Sequence, residues 1–361
     1  MNILRRLPLS RLVLLCALVV AIGVSATAIA LAIGSGSKPP PKPLAQAVHD
    51  ALEAPPVEGL SATVTLTNHL LEGANLAAEH GSGPMSSPLI AGASGRLWIA
   101  KDGRVRLELK AEKGDTNVIY DGKSVTIYDA AENKVYRYTP EQQAGATGTK
   151  DHGEAPSVTE IEEAVAKLQE HAAVSGATPA NVAGRPAYTV RVGPHEAGSL
   201  IGGAELSFDA VTGAPLRSAI YSSTSSAPVA ELAASEISYG PVDDSVFQLT
   251  PPPGAKIETL ELTRHHDASA SAGKQAGERP TVTSHGKGIA AVEVLQAKAE
   301  KGAGAGSSLE GLPKVTLPDG VSASELRTAL GTVLTFERAG VRYVVAGAVE
   351  PSAVEAIAKG L

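Results

Sequence analysis

The stretch Gly95–Lys110, GRLWIAKDGRVRLELK, decides the fold. After its turn, apolar residues occupy every second position, at Val105, Leu107 and Leu109, and charged residues stand between them. This period of two is typical of an antiparallel strand that has one face in the core and one in solvent. The turn Lys101-Asp102-Gly103 joins it to the strand before it, so the segment predicts a β-hairpin.

The same alternation recurs along residues 44–262, with turn residues between the runs. It is seen at Val125/Ile127, Tyr188/Val190/Val192 and Leu206/Phe208, and the turns are Asp121-Gly122 and Thr212-Gly213. Strands at this spacing predict one large, curved antiparallel sheet or an open barrel.

Two helices are predicted beside the strands. Leu44–Leu52 carries apolar residues on one helical face and is ended by prolines. In residues 157–172, Ser157 and Glu160 form a capping box, and Ile161, Val165 and Leu168 share an apolar face. We expect this second helix to lie across the concave side of the sheet, giving an α+β fold.

Four short motifs, in order, resemble the LolA-like lipoprotein carriers. The hairpin Gly95–Leu107 resembles their first strand pair, and Asp121–Asp129 with Val135-Tyr136 is similar to their "S-D-G-K" hairpin. Leu206–Pro215 resembles the "F-D-x-x-T-G-x-P" hairpin, and Phe247–Gly254 resembles the exit from the sheet. The resemblance implies an open half-barrel with helices on its concave face, a fold also found in RseB-type sigma-E regulators.

The resemblance also implies a site and a function. A LolA-like protein is expected to bind acyl chains of a lipid or lipoprotein in a cavity between sheet and helices. The residues expected to line it are Trp98, Val105, Leu107, Leu109, Val125, Ile127, Ile161, Val165 and Leu168. Lys101 stands where the carriers have an arginine that latches their lid, so it is the candidate latch here. A lysine cannot make a bidentate guanidinium contact.

Two other functions stay open. An RseB-like envelope sensor would grip a membrane-protein partner. A structural domain would fill the same apolar positions with a dry core, because both uses need apolar residues at a period of two. An aromatic content of 3% favours a cavity, since few bulky rings are present to fill a barrel.

The N-terminus is predicted to reach the membrane. Arg5, Arg6 and Arg11 precede the apolar run Leu12–Ile33, whose 22 residues would span roughly 30 Å as a helix. Cations on that side favour an internal N-terminus and an external C-terminus, and therefore a single-pass cell-membrane protein. The alternative is a signal peptide cleaved after Ala28-Ile29-Ala30, which would leave a secreted protein.

Composition divides the rest of the chain. Residues 1–34 are the predicted anchor or signal, 35–43 a proline-rich spacer, 44–262 the LolA-like domain and 263–287 a flexible linker. Residues 288–361 are predicted to be a small α+β accessory module: a strand at 289–295, a helix at 322–330, a hairpin, and a last helix from Pro351.

Charge and cysteine content exclude several classes. Cys16 is the only cysteine and lies in the apolar run, so the exported part has neither a disulfide nor a catalytic thiol. The net charge of −7, without a basic stripe, disfavours nucleic-acid binding.

No catalytic motif is recognisable, so we predict a protein that is not an enzyme and that has no cofactor and no metal. Two histidine groups are candidate metal sites. His265-His266 lies in the predicted linker, and His69 and His80 flank Glu72 and Glu79 in a loop rich in small residues. A solvated loop is the simpler interpretation of both.

Overall fold

The structure is a computed structural model that describes residues 37–71, 88–111, 114–139, 155–259, 281–298, 312–317 and 320–361. Within these ranges no helix is long and apolar enough to cross a membrane. The predicted anchor at 1–34, His80 and His265-His266 lie outside the described residues, as does most of the predicted linker.

A large open sheet holds thirteen strands of the described chain. They are β1 (Gly59–Asn68), β2 (Ala93–Ala100), β3 (Val105–Lys110), β4 (Thr116–Tyr120), β5 (Val125–Asp129), β6 (Lys134–Tyr138), β7 (Ala172–Val174), β8 (Thr178–Val182), β9 (Arg185–Pro194), β10 (Ile201–Asp209), β11 (Pro215–Ser222), β12 (Pro228–Tyr239) and β13 (Lys256–Thr259).

The strand order is β13-β6-β5-β4-β3-β2-β1-β12-β11-β10-β9-β7, and β8 also pairs with β9. All of these pairs are antiparallel except β13–β6, which is parallel. The α+β class and the antiparallel sheet are therefore confirmed. Because the order ends at β7 and β13 without closing, the sheet is open.

Helices α1 (Leu44–Glu53), α2 (Pro88–Ala91) and α3 (Val158–Gln169) accompany this sheet. Ala47 of α1 is buried with Tyr188 and Phe208, so α1 packs on the apolar face of β9 and β10. The predicted capping box of α3 is present, with the Ser157 hydroxyl accepting from the Glu160 amide. The main contacts of α3 are with α1 and with β7, at one end of the strand order.

The turn between β10 and β11 explains one of the sequence motifs. The Oδ1 atom of Asp209 accepts from the backbone amides of Val211 and Thr212, at 2.8 and 3.1 Å. Gly213 follows with a φ of +71°. A Cβ at Gly213 would lie 2.5 Å from the carbonyl oxygen of Ala51, so a glycine here lets the turn approach the C-terminal turn of α1.

After β12 the chain crosses the charged face of β3. A short 3₁₀ helix at Asp244–Phe247 is held by Arg104, which donates to Asp244 at 2.6 Å and lies 4.8 Å from the ring centroid of Phe247. Arg106 donates to the carbonyl of Val246 at 3.0 Å. After Phe247–Gly254, the segment predicted to leave the sheet, the chain forms β13, which pairs with β6.

A second sheet of six described strands forms the C-terminal module. Its order is β14-β15-β19-β18-β17-β16, and helix α4 (Pro351–Ala358) covers one face. Val294, Leu334, Val345 and Val354 are fully buried in its core. The strands are β14 (Thr281–His285), β15 (Val292–Lys298), β16 (Lys314–Thr316), β17 (Ser322–Thr328), β18 (Gly331–Arg338) and β19 (Val341–Gly347).

Two predictions for this module need correction. The helix predicted at 322–330 is the strand β17, which pairs with both β16 and β18. Its Ser, Ala, Glu, Leu and Arg residues tolerate a helix, but pairing on both sides overrides this weak preference. Strand β14 begins at Thr281, inside the predicted linker 263–287, so the folded module begins before residue 288.

Candidate binding surfaces

Strands β3, β4 and β5 align apolar side chains in rows on one face of the large sheet. One row pairs Leu107 with Val118 and Val118 with Ile127. Since paired residues of antiparallel strands point to the same side, these side chains form one surface. We call it the β3–β5 wall; it comprises Val105, Leu107, Leu109, Val118, Tyr120, Val125 and Ile127. This register places five of the predicted site residues on one face of the sheet: Val105, Leu107, Leu109, Val125 and Ile127.

Burial varies across the wall. Leu109 has no exposed surface. Val105 and Leu107 are half-buried and pack beside a buried cluster that contains Leu60 and Val64. Val125 and Ile127 are also half-buried, and they belong to none of the buried clusters of the described residues. The wall therefore passes from dry core at β3 to partly open apolar surface at β5.

Tyrosines extend the open end of the wall. Tyr136 and Tyr138 of β6 pair with Ile127 and Val125, so they lie on the same face. Tyr120 lies in the next row, between Val105 and Val125, and its hydroxyl donates to the carbonyl of Gly122 at 3.0 Å. These three residues were not among the predicted site residues. The alternation in Lys134–Tyr138 (KVYRY) is the signal that could have identified two of them.

Trp98 needs correction as a wall residue. It pairs with Ser61 and with Arg106, and both neighbours belong to the opposite, polar face. The alternation of β2 places Leu97 and Ile99 on the wall side, so the residue between them must face away. Trp98 therefore lies on the other side of the sheet from Leu107.

The α3 residues of the predicted site lie on a helix whose main contacts are with α1 and β7, not with β3 or β5. Ile161 is buried and Val165 half-buried, while Leu168 is 40% exposed. These contacts do not bring the three α3 residues onto the β3–β5 wall, and the position of α3 across the concave side of the sheet stays a prediction.

Lys101, the candidate lid latch, lies in the turn before β3. Its Nζ donates to Oε1 of Glu58 at 2.8 Å, and both side chains are more than half exposed. An exposed pair of this kind contributes little to stability. Within the described chain the Lys101 cation is thus bound to the segment just before β1, and its role as a latch stays a prediction.

A groove crosses the polar face at β12, β1 and β2. We call it the Trp98 groove; its volume is about 260 Å³ and its lining residues are Ser61, Ala62, Thr63, Arg96, Trp98, Glu236, Ile237 and Ser238. A β-bulge between Thr63 and Val64 shifts the pairing of β1 with β12 at this point.

A larger cavity of about 570 Å³ lies between the large sheet and the C-terminal module. We call it the intermodule cleft. Ser199, Ser223, Arg191, Glu196 and Glu350 are among its lining residues. The two modules meet beside it, because the Ala348 carbonyl accepts from the amide of Leu200 at 2.7 Å and from the hydroxyl of Ser199 at 3.1 Å. Neither this cavity nor the Trp98 groove is lined by residues of the β3–β5 wall.

Among the described residues, no group of three or more histidine, cysteine, aspartate or glutamate side chains could hold a metal ion. His69 lies within the described residues, but Glu72, Glu79 and His80 do not.

Comparison with known proteins gives one partial family match. Residues 84–147 match a family described as "Predicted periplasmic protein (DUF2092)". This stretch contains β2–β6 and hence the whole β3–β5 wall. The description agrees with the predicted extracytoplasmic location. No curated protein sequence matches the chain.

Three solved structures are similar to the chain. MucB in complex with MucA(peri) is 15% identical, with a TM-score of 0.41, over 87% of this chain and 94% of that chain. The MucA/MucB complex of Pseudomonas aeruginosa is 17% identical, with a TM-score of 0.39, over 87% and 94%. A LolA superfamily protein from Nitrosomonas europaea is 8% identical, with a TM-score of 0.20, over 84% and 90%. A LolA superfamily protein is thus among the solved structures that are similar to the chain, in line with the resemblance seen in the sequence.

Proposed function

We propose that the chain binds acyl chains of a lipid or lipoprotein, without catalysis, on the β3–β5 wall at the outer face of the cytoplasmic membrane. The observation that carries the proposal is the half-buried state of Val125 and Ile127 in the apolar rows of the β3–β5 wall. The proposal includes the predicted curvature of the sheet into a half-barrel and the predicted anchor at 1–34.

The energetics favour an apolar ligand at this place. Each methylene moved from water to an apolar surface contributes about 0.8 kcal/mol, so a chain lying along the wall can compete with the bilayer. The tyrosines at the open end, Tyr136 and Tyr138, combine an apolar ring with a polar hydroxyl. They suit the boundary between an acyl chain and its polar headgroup.

Charge reversal of the wall tests the proposal. Ile127→Arg places a cation on the open part of the wall, where the guanidinium can reach water, so the domain should stay folded. Binding of a fluorescent fatty acid should fall at least tenfold. Leu107→Arg repeats the test at the border with the core. Thermal unfolding of each variant shows whether the fold is kept.

Two control variants define the result. Thr126→Arg adds the same cation to β5 on the opposite face and should leave binding unchanged. Leu109→Arg buries the cation in dry core and should unfold the domain. A folded Ile127→Arg protein with unchanged fatty-acid binding would remove the wall from consideration. Unfolding of both Ile127→Arg and Leu107→Arg would favour a structural domain.

A second candidate function, RseB-like binding of a membrane-protein partner, is favoured by the intermodule cleft. Its mixed lining, with Arg191 on one module, Glu350 on the other and apolar residues between them, suits a peptide better than an acyl chain. A photo-crosslinking residue at Glu350 should then capture a membrane protein in cells. The same residue at Glu337, which is exposed on β18 away from the cleft lining, should not.

A further inference from the structure

The Trp98 groove carries unused hydrogen-bonding groups on a face that the proposed acyl site does not use. Across the sheet, one row of paired residues is Ser238, Ser61 and Trp98, and the next is Glu236, Thr63 and Arg96. The middle strand contributes only small hydroxyl side chains. The strands on either side contribute the long ones, so the surface is a trough with two walls.

The width of the trough follows from the sheet. Strands β12 and β2 are two strand spacings apart, about 10 Å, with β1 between them. Trp98 and Arg96 form one wall, and Glu236 forms the other, beside the short side chain of Ser238. The volume of about 260 Å³ is just below the range of about 300–1,000 Å³ for drug-sized ligands. One ring of a ligand, or one end of a longer one, would fit.

The position of Trp98 on the polar face of the sheet is unusual for a large apolar side chain. Trp98 is the only tryptophan of the chain, and it lies half-buried on the polar face instead of in either core. Arg106, from β3 on the side away from the groove, lies 5.9 Å from its ring centroid. Among the described residues, the indole N–H has no hydrogen-bond partner. Trp98 is one of the residues that line the groove.

The polar groups around the ring are also available. In the described part of the chain, the guanidinium of Arg96 makes no hydrogen bond and no ion pair. Glu236 makes one long contact, accepting from the Thr63 hydroxyl at 3.4 Å. Arg96 and Glu236 lie on opposite walls, so their charges balance. This arrangement disfavours an anion such as phosphate and favours a neutral ligand that offers both donors and acceptors.

We infer that the Trp98 groove binds a hexopyranose ring of a neutral glycan. The apolar C–H face of the sugar would stack on the indole, as aromatic side chains with a polar edge allow. The Arg96 guanidinium would donate to sugar hydroxyl oxygens, and Glu236 would accept from sugar hydroxyl groups. The ligand source is either a free oligosaccharide or the headgroup of a glycolipid.

Tryptophan fluorescence measures this binding directly, because the groove holds the only tryptophan. The full-length chain, in a detergent without a sugar headgroup, is titrated with neutral trisaccharides of glucose, mannose, galactose and N-acetylglucosamine. At least one should give a saturable spectral shift in the millimolar range. Absence of a saturable shift with all of them would overturn the inference.

Variants link the signal to the groove. Arg96→Ala and Glu236→Ala should each weaken binding about tenfold or more, because each removes a hydrogen bond that involves a charged group. Lys110→Ala, an exposed cation of β3 outside the groove lining, should bind as the unchanged protein does. Equal affinity in all three variants would also overturn the inference, since the shift would then arise elsewhere.

A comparison of the free sugar with the same sugar on a lipid in vesicles identifies the source. Tighter binding to the vesicles indicates a glycolipid headgroup, and equal binding indicates a soluble glycan. Ile127→Arg should not alter binding of the free trisaccharide, since it lies on the other face. The test of sugar binding in the Trp98 groove is therefore independent of the test of acyl-chain binding on the β3–β5 wall.

Discussion

The Arg185 guanidinium donates to Oδ2 of Asp209 at 2.7 Å, and the Asp209 side chain has no exposed surface. The same oxygen accepts from the hydroxyl of Tyr239 at 2.9 Å. Together with the amides of Val211 and Thr212, these groups satisfy both carboxylate oxygens. Asp209 therefore joins β9, β12 and the β10–β11 turn at a single buried point.

Asp209→Ala should destabilise the chain by about 3 kcal/mol, because Arg185 loses its partner and two backbone amides lose theirs. Urea unfolding measures the change. Asp102→Ala is the control, since Asp102 pairs with Arg104 but is 56% exposed, and it should cost less than about 1 kcal/mol. Equal losses of unfolding free energy in the two variants would show that the buried carboxylate of Asp209 contributes no more to stability than the exposed one of Asp102.

Stability should fall in alkali through Tyr239. Burial, followed by the nearby Asp209 carboxylate, raises the pKa of Tyr239 above its ordinary value. In the unfolded chain the phenol ionises near pH 10, while in the folded chain it keeps its proton. The stabilising contribution is complete below about pH 10. Above that pH it is lost by up to about 1.4 kcal/mol per pH unit, until the folded pKa is reached.

Tyr239→Phe removes this ionisation, so its unfolding free energy should fall less steeply than that of the unchanged protein above about pH 10. The variant also loses the hydrogen bond to Asp209, so it should be less stable at neutral pH. Chemical unfolding across the alkaline range measures both effects. Parallel curves for the two proteins would contradict the pKa assignment.

Gly213→Ala should cost more than Gly122→Ala. Both glycines have a positive φ, +71° and +91°, so both substitutions carry backbone strain of about 1 kcal/mol. Only the Cβ at Gly213 would meet an obstacle, the Ala51 carbonyl oxygen at 2.5 Å; at Gly122 nothing lies within 4 Å. The difference in unfolding free energy between the variants measures the α1–turn contact, and it should exceed about 1 kcal/mol.

The sequence was sufficient for features that depend on local alternation. The alternation at Val105, Leu107 and Leu109 is enough to predict which residues of β3 share a face, whatever strands lie beside it. The pair Ser157 and Glu160 is enough to predict where α3 begins. The prediction that Trp98 lies on the wall follows its hydrophobicity and is wrong, because its position between Leu97 and Ile99 in β2 determines its face.

Other features depend on contacts that are distant in sequence. The segment predicted to be a helix is the strand β17, because β16 and β18 both pair with it. This pairing cannot be predicted from the local sequence of β17. The intermodule cleft requires the docking of Leu200 and Ser199 on Ala348, nearly 150 residues away in sequence. The Trp98 groove requires β12 beside β1, a pairing of two segments at opposite ends of the large domain.

The proposed membrane topology predicts where the C-terminus lies. Arg5, Arg6 and Arg11 precede the apolar run Leu12–Ile33, so the C-terminus should be outside the cytoplasm. A reporter that is active only in the cytoplasm, fused after Leu361, should give no signal, and one that is active only outside should give a full signal. Cytoplasmic activity of the first fusion would refute the orientation.

Thr116→Val should stabilise the chain. The Thr116 side chain is fully buried at the core end of the β3–β5 wall, opposite Leu109, and its hydroxyl has no hydrogen-bond partner among the described residues. An unsatisfied buried hydroxyl costs about 1–3 kcal/mol, and valine has nearly the same shape and a higher strand preference. Urea unfolding of the chain freed of lipid should therefore show a gain of about 1 kcal/mol. Val118→Thr, the reverse change on the same face of the same strand, should lower stability. A loss of stability in the lipid-free chain would contradict the prediction. If Thr116→Val weakens fatty-acid binding, the hydroxyl has a partner in the ligand, and the acyl site extends to the buried end of the wall.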